Sequence, residues 1–255
     1  MIKKLLFLIG ICLLSSCQND AEVLETSSAT MALLERSRSL QKRGEQLHQD
    51  IRERYDFNTE GRSYQDFLNE IDDDAFVDVS KLSTYFILDI KYATKNNFLK
   101  KAVYDCAACY LKGSVAKALI NANKEFMKKG YRMLLYDCYR PLDVQKKMWT
   151  LVSDPNYVAD PDKGSVHNRG AAIDLTLTNL KGEPLDMGTE YDHFGEEAHH
   201  SFTDLKNSVK SNREFLKSVM ETQGFHAFET EWWHYDFKNA EDLAISNFKR
   251  ECENR

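Results

Sequence analysis

Residues 165–178 read SVHNRGAAIDLTLT, and no other segment restricts the fold of this chain as tightly. After Gly170 the apolar residues Ile173, Leu175 and Leu177 alternate with Asp174 and Thr176. Successive side chains of a strand point to opposite faces, so this period of two demands a strand with an apolar layer on one side and a carboxylate on the other. A turn at Gly170 can carry His167 back beside Asp174. Strand signals also fall at 85–92, 131–136 and 232–237, where aromatic or β-branched residues gather. Helical spacing marks 113–129, closed by Gly130, and 212–222, closed by Gly224. Strands and helices mixed without regular β-α-β alternation predict an α+β domain.

The chain has 255 residues, 42% apolar and 29% charged, which suits one main domain with some extra chain. Its net charge of -6 and the lack of a long basic run exclude a nucleic-acid footprint. The extra chain lies at the N-terminus. Lys3 and Lys4 precede an apolar stretch at 5–14 that would span about 15 Å as a helix, half of the roughly 30 Å hydrocarbon core. It reads as a signal peptide and not as a transmembrane helix. Leu14-Ser-Ser-Cys17 resembles the lipobox of bacterial lipoproteins, in which the cysteine, here Cys17, becomes lipid-modified and the new N-terminus. The expected order is a signal at 1–16, a tether at 17–30, a helical extension at 31–75 with helices over 31–56 and 63–71, and the main domain at 76–255. Asp72-Asp-Asp74 lacks the Gly and later Glu of an EF-hand loop and reads as a solvated turn. Cys106, Cys109, Cys138 and Cys252 remain in the mature chain; in an oxidising compartment they allow three pairings. Cys106-Ala-Ala-Cys109 has no second C-x-x-C with which to build a zinc knuckle, so packing or one structural disulfide is expected.

Imidazole and carboxylate are ligand types that a catalytic zinc accepts, and such a site takes three protein ligands while keeping a fourth position for water. His167 and Asp174 offer two; His234, in Glu231-Trp-Trp-His234, can supply the third. A zinc hydrolase also wants a non-ligand carboxylate as general base, and Glu231 is suitably close. On a strand, positions three apart face opposite ways, so Glu231 must lie just before the strand or be re-aimed by a bulge. His199-His200 do not share a face and no H-E-x-x-H spacing occurs, so this pair reads as cap or supporting residues. Trp232 and Trp233 read as packing.

Five pieces occur in order: Tyr92-Ala-Thr-Lys-Asn-Asn-Phe98, Tyr136-Asp-Cys-Tyr-Arg-Pro141, the S-x-H-x-x-G-x-A-x-D block from Ser165 to Asp174, Met187-Gly-Thr-Glu-Tyr-Asp192 and Glu231-Trp-Trp-His-Tyr235. In them, residues 89–237 closely resemble the zinc D-alanyl-D-alanine dipeptidases, including that of vancomycin resistance, within the wider D-Ala-D-Ala metallopeptidase group. The resemblance implies a Hedgehog/DD-peptidase-like domain with a mixed or antiparallel sheet flanked by helices. It implies one Zn2+ per chain on His167, Asp174 and His234, with Glu231 as catalytic base and Arg140 steadying the tetrahedral intermediate. It also implies that Asp192, with Tyr92 nearby, holds the substrate ammonium and that Ser165 helps to bind substrate. The chain departs from the family pattern at Tyr191, where Phe is expected, at Cys138, where Gly is common, and at Cys106, near where an aromatic often sits.

The implied reaction is hydrolysis of D-alanyl-D-alanine to two D-alanines. An exported lipoprotein cannot reach a cytoplasmic precursor pool, so recycling of dipeptide released outside the cytoplasm is the coherent role. D,D-carboxypeptidase or endopeptidase action on peptidoglycan stem peptides, and a zinc-bearing lipoprotein without turnover, stay open as alternatives. The expected partners are a small dipeptide and, through the lipid anchor, a membrane, with no nucleic acid; the oligomeric state is left open.

Overall fold

The stretch 172–179, buried along almost its whole length, forms the centre of the molecule. The computed structural model describes residues 31, 33–39, 42, 64–83 and 85–252. The expected signal peptide, Cys17 and the tether lie outside the described residues. The chain divides into two units, 1–56 and 57–255. In the first, residues 33–39 are helical, inside the helix expected over 31–56.

The second unit runs α1 (Tyr64–Glu70), β1 (Phe76–Asp78), β2 (Ile87–Leu88), β3 (Tyr110–Lys112), α2 (Gly113–Lys128), β4 (Tyr131–Asp137), α3 (Leu142–Leu151), β5 (Ala172–Asn179), α4 (Asn207–Thr222), β6 (Phe225–Ala227) and β7 (His234–Phe237). Five strands form one sheet in the order β2-β4-β5-β7-β6. Only the β2–β4 pairing is parallel, so the sheet is mixed and the domain α+β, as expected. β1 and β3 pair separately and antiparallel.

On β5, Ile173, Leu175 and Leu177 are fully buried. They join Met133 and Leu135 of β4, Leu119 and Phe126 of α2, and Leu216 of α4 in one core. The buried residues Val115, Leu119, Ala122 and Phe126 recur every three or four positions, which gives α2 its apolar face. Each large side chain buried this way contributes about 1.5–3 kcal/mol relative to exposure. The other face of β5 is covered too, since Asp174, Thr176 and Thr178 are buried. The chain beyond the β5 turn returns beside the strand, with Leu185 N–H donating to Leu177 O at 2.8 Å.

Several boundaries differ from expectation, each for a local reason. The stretch 85–92 holds only the two-residue β2; Asp89 N–H makes one more bond, to Leu135 O at 2.9 Å, before a 3-10 turn at Lys91–Ala93 sends Tyr92 inward. α4 begins five residues before the expected 212, because Val209 extends the buried stripe of Arg213, Leu216 and Met220 while no side chain caps the start at Lys206. α3 was not expected at all: its start at Pro141 has no side-chain cap, and only Gln145 and Met148 are buried. The strand expected at 232–237 begins at His234. Asp72-Asp-Asp74 is an exposed turn, with Asp73 paired to Lys117 at 2.7 Å.

All four domain cysteines are bridged, Cys106 to Cys252 and Cys109 to Cys138, so the C-x-x-C pair divides between two disulfides where one structural disulfide was foreseen. The first bridge holds the C-terminal tail across the domain. Along the tail, Ser246 O accepts from Leu142 N–H at 3.1 Å and Ser246 N–H donates to Asn168 O at 2.9 Å.

The turn before β5 requires glycine. Gly170 has φ +70°, and a Cβ there would lie 2.5 Å from Phe76 Cε1 and 3.3 Å from Lys112 N. That same Lys112 N–H donates to Gly170 O at 2.9 Å, so the neighbour cannot retreat without losing a bond. Gly170→Ala should therefore destabilise the domain by about 1–3 kcal/mol. A denaturant midpoint equal to that of the wild type would refute this account of the turn.

Candidate metal centre and active site

Three adjacent strands bring the polar residues together. In the sheet register Asp174 of β5 stands opposite Asp137 of β4 on one side and His234 of β7 on the other. β4 is irregular between Leu135 and Asp137, which re-aims its end toward the site. His167 arrives from the 3-10 turn Val166–Arg169, whose left-handed C-cap is Gly170.

The three candidate ligands, two imidazoles and a carboxylate, converge. His234 Nδ1 lies 2.9 Å from Asp174 Oδ1, His167 Nε2 lies 3.4 Å from the same oxygen, and the two ring nitrogens are 3.3 Å apart. A tetrahedral zinc with bonds of about 2.0–2.1 Å has ligand–ligand edges of about 3.3–3.4 Å, so this triangle is close to one face of such a shell. His167, Asp174 and His234 could therefore hold a metal ion.

The outer nitrogens decide which tautomer each ring takes. Cys138 O can only accept, so at 2.7 Å it takes the proton of His167 Nδ1 and leaves the Nε2 lone pair facing the triangle. Asp236 Oδ1, 2.9 Å from His234 Nε2, can hold a proton there, so that a cation in the triangle can replace the proton that Nδ1 shares with Asp174. Burial opposes charge on Asp174, yet the two imidazoles hold its carboxyl well below the usual carboxylate range. Burial likewise disfavours a charged His234, but hydrogen bonds to Asp174 and Asp236 push its pKa well above the ordinary imidazole value. The cluster is an electronegative well that favours a cation, and the donor set fits zinc.

Glu231 lies in the turn just before β7, one of the two placements that convergence required. Its N–H donates to Phe228 O at 3.1 Å, and its O accepts from His234 N–H at 3.2 Å. Oε2 stands 4.0 Å from His234 Nδ1, near the triangle but outside it. Burial pushes its pKa up, toward a proton acceptor that can also give the proton back.

Arg140 is buried and fixed. Its Nη2 and Nε donate to Asp137 Oδ2 at 2.7 and 3.2 Å, and its Nη1 donates to Gln145 Oε1 at 2.9 Å. Burial works against its charge, but Asp137 keeps it firmly protonated. Asp137 is held in turn by Tyr104 O–H at 2.6 Å and Cys138 N–H at 2.9 Å.

Asp192 has φ +62°, a left-handed conformation rare outside glycine. Its carboxyl accepts from Tyr92 O–H at 3.1 Å and Phe98 N–H at 3.4 Å. Burial, with Asp174 adding repulsion, pushes its pKa up to about 8. Ser165 serves the backbone: its Oγ accepts from His167 N–H at 3.2 Å while Asn168 Oδ1 accepts from Ser165 N–H at 2.7 Å.

One cavity of about 580 Å³ is lined by His167, Asp174, His234, Glu231, Arg140, Asp192, Tyr92 and Ser165, the eight residues expected to bind metal, catalyse or bind substrate. His199 lines it as well, and His200 does not. Burial lowers the His200 pKa to about 4, and its ring lies against Tyr235, so it is a packed residue. Sequence reading missed Asp236, Asp137, Gln145, Cys138 O and the Tyr191 hydroxyl, which donates to Asp174 Oδ2 at 2.8 Å. Asp236 was within reach, since a strand places it on the same face as His234.

Residues 72–251 match the Peptidase M15 family, described as D-ala-D-ala dipeptidase. The chain is 34% identical to a D-alanyl-D-alanine dipeptidase of Escherichia coli over 66% of this chain and 88% of that protein. It is 35% identical to one of Enterococcus faecium over 58% of this chain and 83% of that protein. A third, from Streptomyces coelicolor, is 35% identical over 65% and 92% of the two chains. On the extent of the family match and this likeness over most of each relative's length, the chain belongs to the D-Ala-D-Ala dipeptidase family of peptidases.

Proposed function

We propose that this protein is an exported, zinc-dependent dipeptidase that hydrolyses D-Ala-D-Ala to two D-alanines and serves the recycling of dipeptide released outside the cytoplasm. The observation that carries the reading is a single cavity that joins the His167–Asp174–His234 triangle, Glu231 beside it, a fixed Arg140 and the buried carboxyl of Asp192.

When bound to that triangle, zinc supplies a Lewis acid for the peptide carbonyl and lowers the pKa of water from about 15.7 toward 7. Glu231 takes the proton of the attacking water and returns it to the leaving amine. Arg140, held by Asp137 and Gln145, presents a permanent positive charge to the developing oxyanion. Asp192 pairs with the free ammonium of the dipeptide, and Tyr92 and Phe98 N–H orient its two oxygens. The bridging of all four domain cysteines supports an oxidising compartment, in keeping with a signal at 1–16 and a lipid on Cys17.

Glu231→Ala should retain stoichiometric zinc and lose hydrolysis, checked by metal analysis beside a D-alanine release assay. Near-normal turnover in the zinc-loaded variant would remove Glu231 from the role of base.

An N-acylated D-Ala-D-Ala substrate lacks the cation that Asp192 requires and should lose about 3–5 kcal/mol in kcat/KM relative to the free dipeptide. Equal rates on the free dipeptide and a stem pentapeptide would instead favour a D,D-carboxypeptidase.

Cys17→Ala should abolish incorporation of labelled palmitate in bacterial cells and release the protein from the membrane fraction. Unchanged membrane association without label would sink the lipid anchor.

A further inference from the structure

The two oxygens of Asp174 are placed differently. Oδ1 faces both ring nitrogens, at 2.9 and 3.4 Å, whereas Oδ2 accepts the O–H of Tyr191 at 2.8 Å. A carboxylate free on both sides can turn and offer a cation either one oxygen or two. With two oxygens engaged, the position required for water would be crowded, because a catalytic zinc site uses three protein ligands and keeps the fourth corner open.

We propose that Tyr191 is a positioning residue for the metal: its hydroxyl holds Asp174 as a one-oxygen ligand, tightening the hold on the ion and keeping the fourth corner open. The inference rests on reading the cavity as a zinc peptidase site.

Packing gives the hydroxyl little freedom to leave. The Tyr191 ring stands 4.8 Å from the ring of Tyr136, 5.4 Å from that of Trp233 and 6.2 Å from that of Tyr92. A donor held in place by its neighbours loses little conformational entropy when it makes its bond.

The backbone separates two tasks at this point. Asp192 follows directly in a left-handed conformation, a strained choice that directs consecutive side chains to different carboxyl positions. Tyr191 reaches the metal carboxylate, while Asp192 receives Tyr92 O–H at 3.1 Å. Two phenols thus attend two carboxyls, one for the ion and one for the substrate ammonium.

The test compares Tyr191→Phe with Tyr92→Phe in the full chain. Zinc dissociation constants are measured by competition with a chromophoric chelator, and kcat and KM for D-Ala-D-Ala at saturating zinc. Thermal midpoints of the metal-free proteins check that each variant folds. Tyr191→Phe should weaken zinc binding about tenfold or more and lower kcat, with KM near the wild-type value. Tyr92→Phe should raise KM and leave zinc affinity unchanged. A folded Tyr191→Phe protein with wild-type zinc affinity overturns the proposal, as does an equal loss of affinity in both variants. Wild-type protein that takes up no zinc would instead overturn the peptidase reading, and the role of Tyr191 with it.

Discussion

Asp174 is a carboxylate in the middle of a five-stranded sheet, and the rest of the site is arranged around the cost of that placement. An ionised carboxyl taken out of water loses several kcal/mol of hydration and needs compensation from charge and hydrogen bonds. Here His167 and His234 face one oxygen and Tyr191 the other. Each partner depends on a distinct structural device. A turn that only glycine can make delivers His167, cross-strand register delivers His234, and a covering segment after β5 delivers Tyr191. A slip of one residue in β5 would move Asp174 to the apolar side and dissolve all three contacts.

The carboxyls in and around the cavity differ in the partners that face them. Asp174 has two imidazoles and stays ionised; Asp137 has Arg140, Tyr104 and a backbone N–H. Asp192 has hydroxyl and amide donors, no cationic side chain among the described residues forms an ion pair with it, and burial pushes its pKa up to about 8. Desolvation opposes the charge of both Asp174 and Asp192, so the difference between these two comes from the facing charge. A group buried short of one positive charge is suited to select a ligand that brings it, which is how a free ammonium can be preferred over an acylated one.

Much of this was legible in the sequence because the informative constraints are local. The period of two in β5 placed Asp174, the turn residue Gly170 placed His167, and the requirement that Glu231 precede the strand was met by the turn at 228–234. Residues that act through tertiary contact were harder to see. Asp137 and Gln145 are ordinary polar residues until β4 and α3 bring them to Arg140. A backbone carbonyl such as Cys138 O has no sequence signature at all. α3 carries little apolar periodicity because only Gln145 and Met148 of it are buried, and β2 is shorter than expected because the chain leaves the sheet after Asp89 and a 3-10 turn sends Tyr92 inward. Disulfide pairing depends on which chain segments meet, which spacing alone does not encode.

The bridges have a bearing on the chemistry beyond stability. Cys138 lies between Asp137, which fixes Arg140, and the carbonyl that sets the His167 tautomer is its own. The next residue, Tyr139, donates its N–H to Tyr110 O at 2.9 Å, and Arg140 N–H donates to His167 O at 3.0 Å. Residues 138–140 are thus tied to β3 on one side and to the histidine turn on the other, and the Cys109–Cys138 bridge adds a covalent link between residue 138 and the residue just before β3. β3 is only three residues long and belongs to a two-stranded sheet, a marginal support on its own. A covalent link restricts the unfolded chain and holds short elements that hydrogen bonds alone would leave prone to fraying. In a domain whose strands are mostly of two to four residues, positional precision at the cavity comes from these cross-links as much as from the sheet.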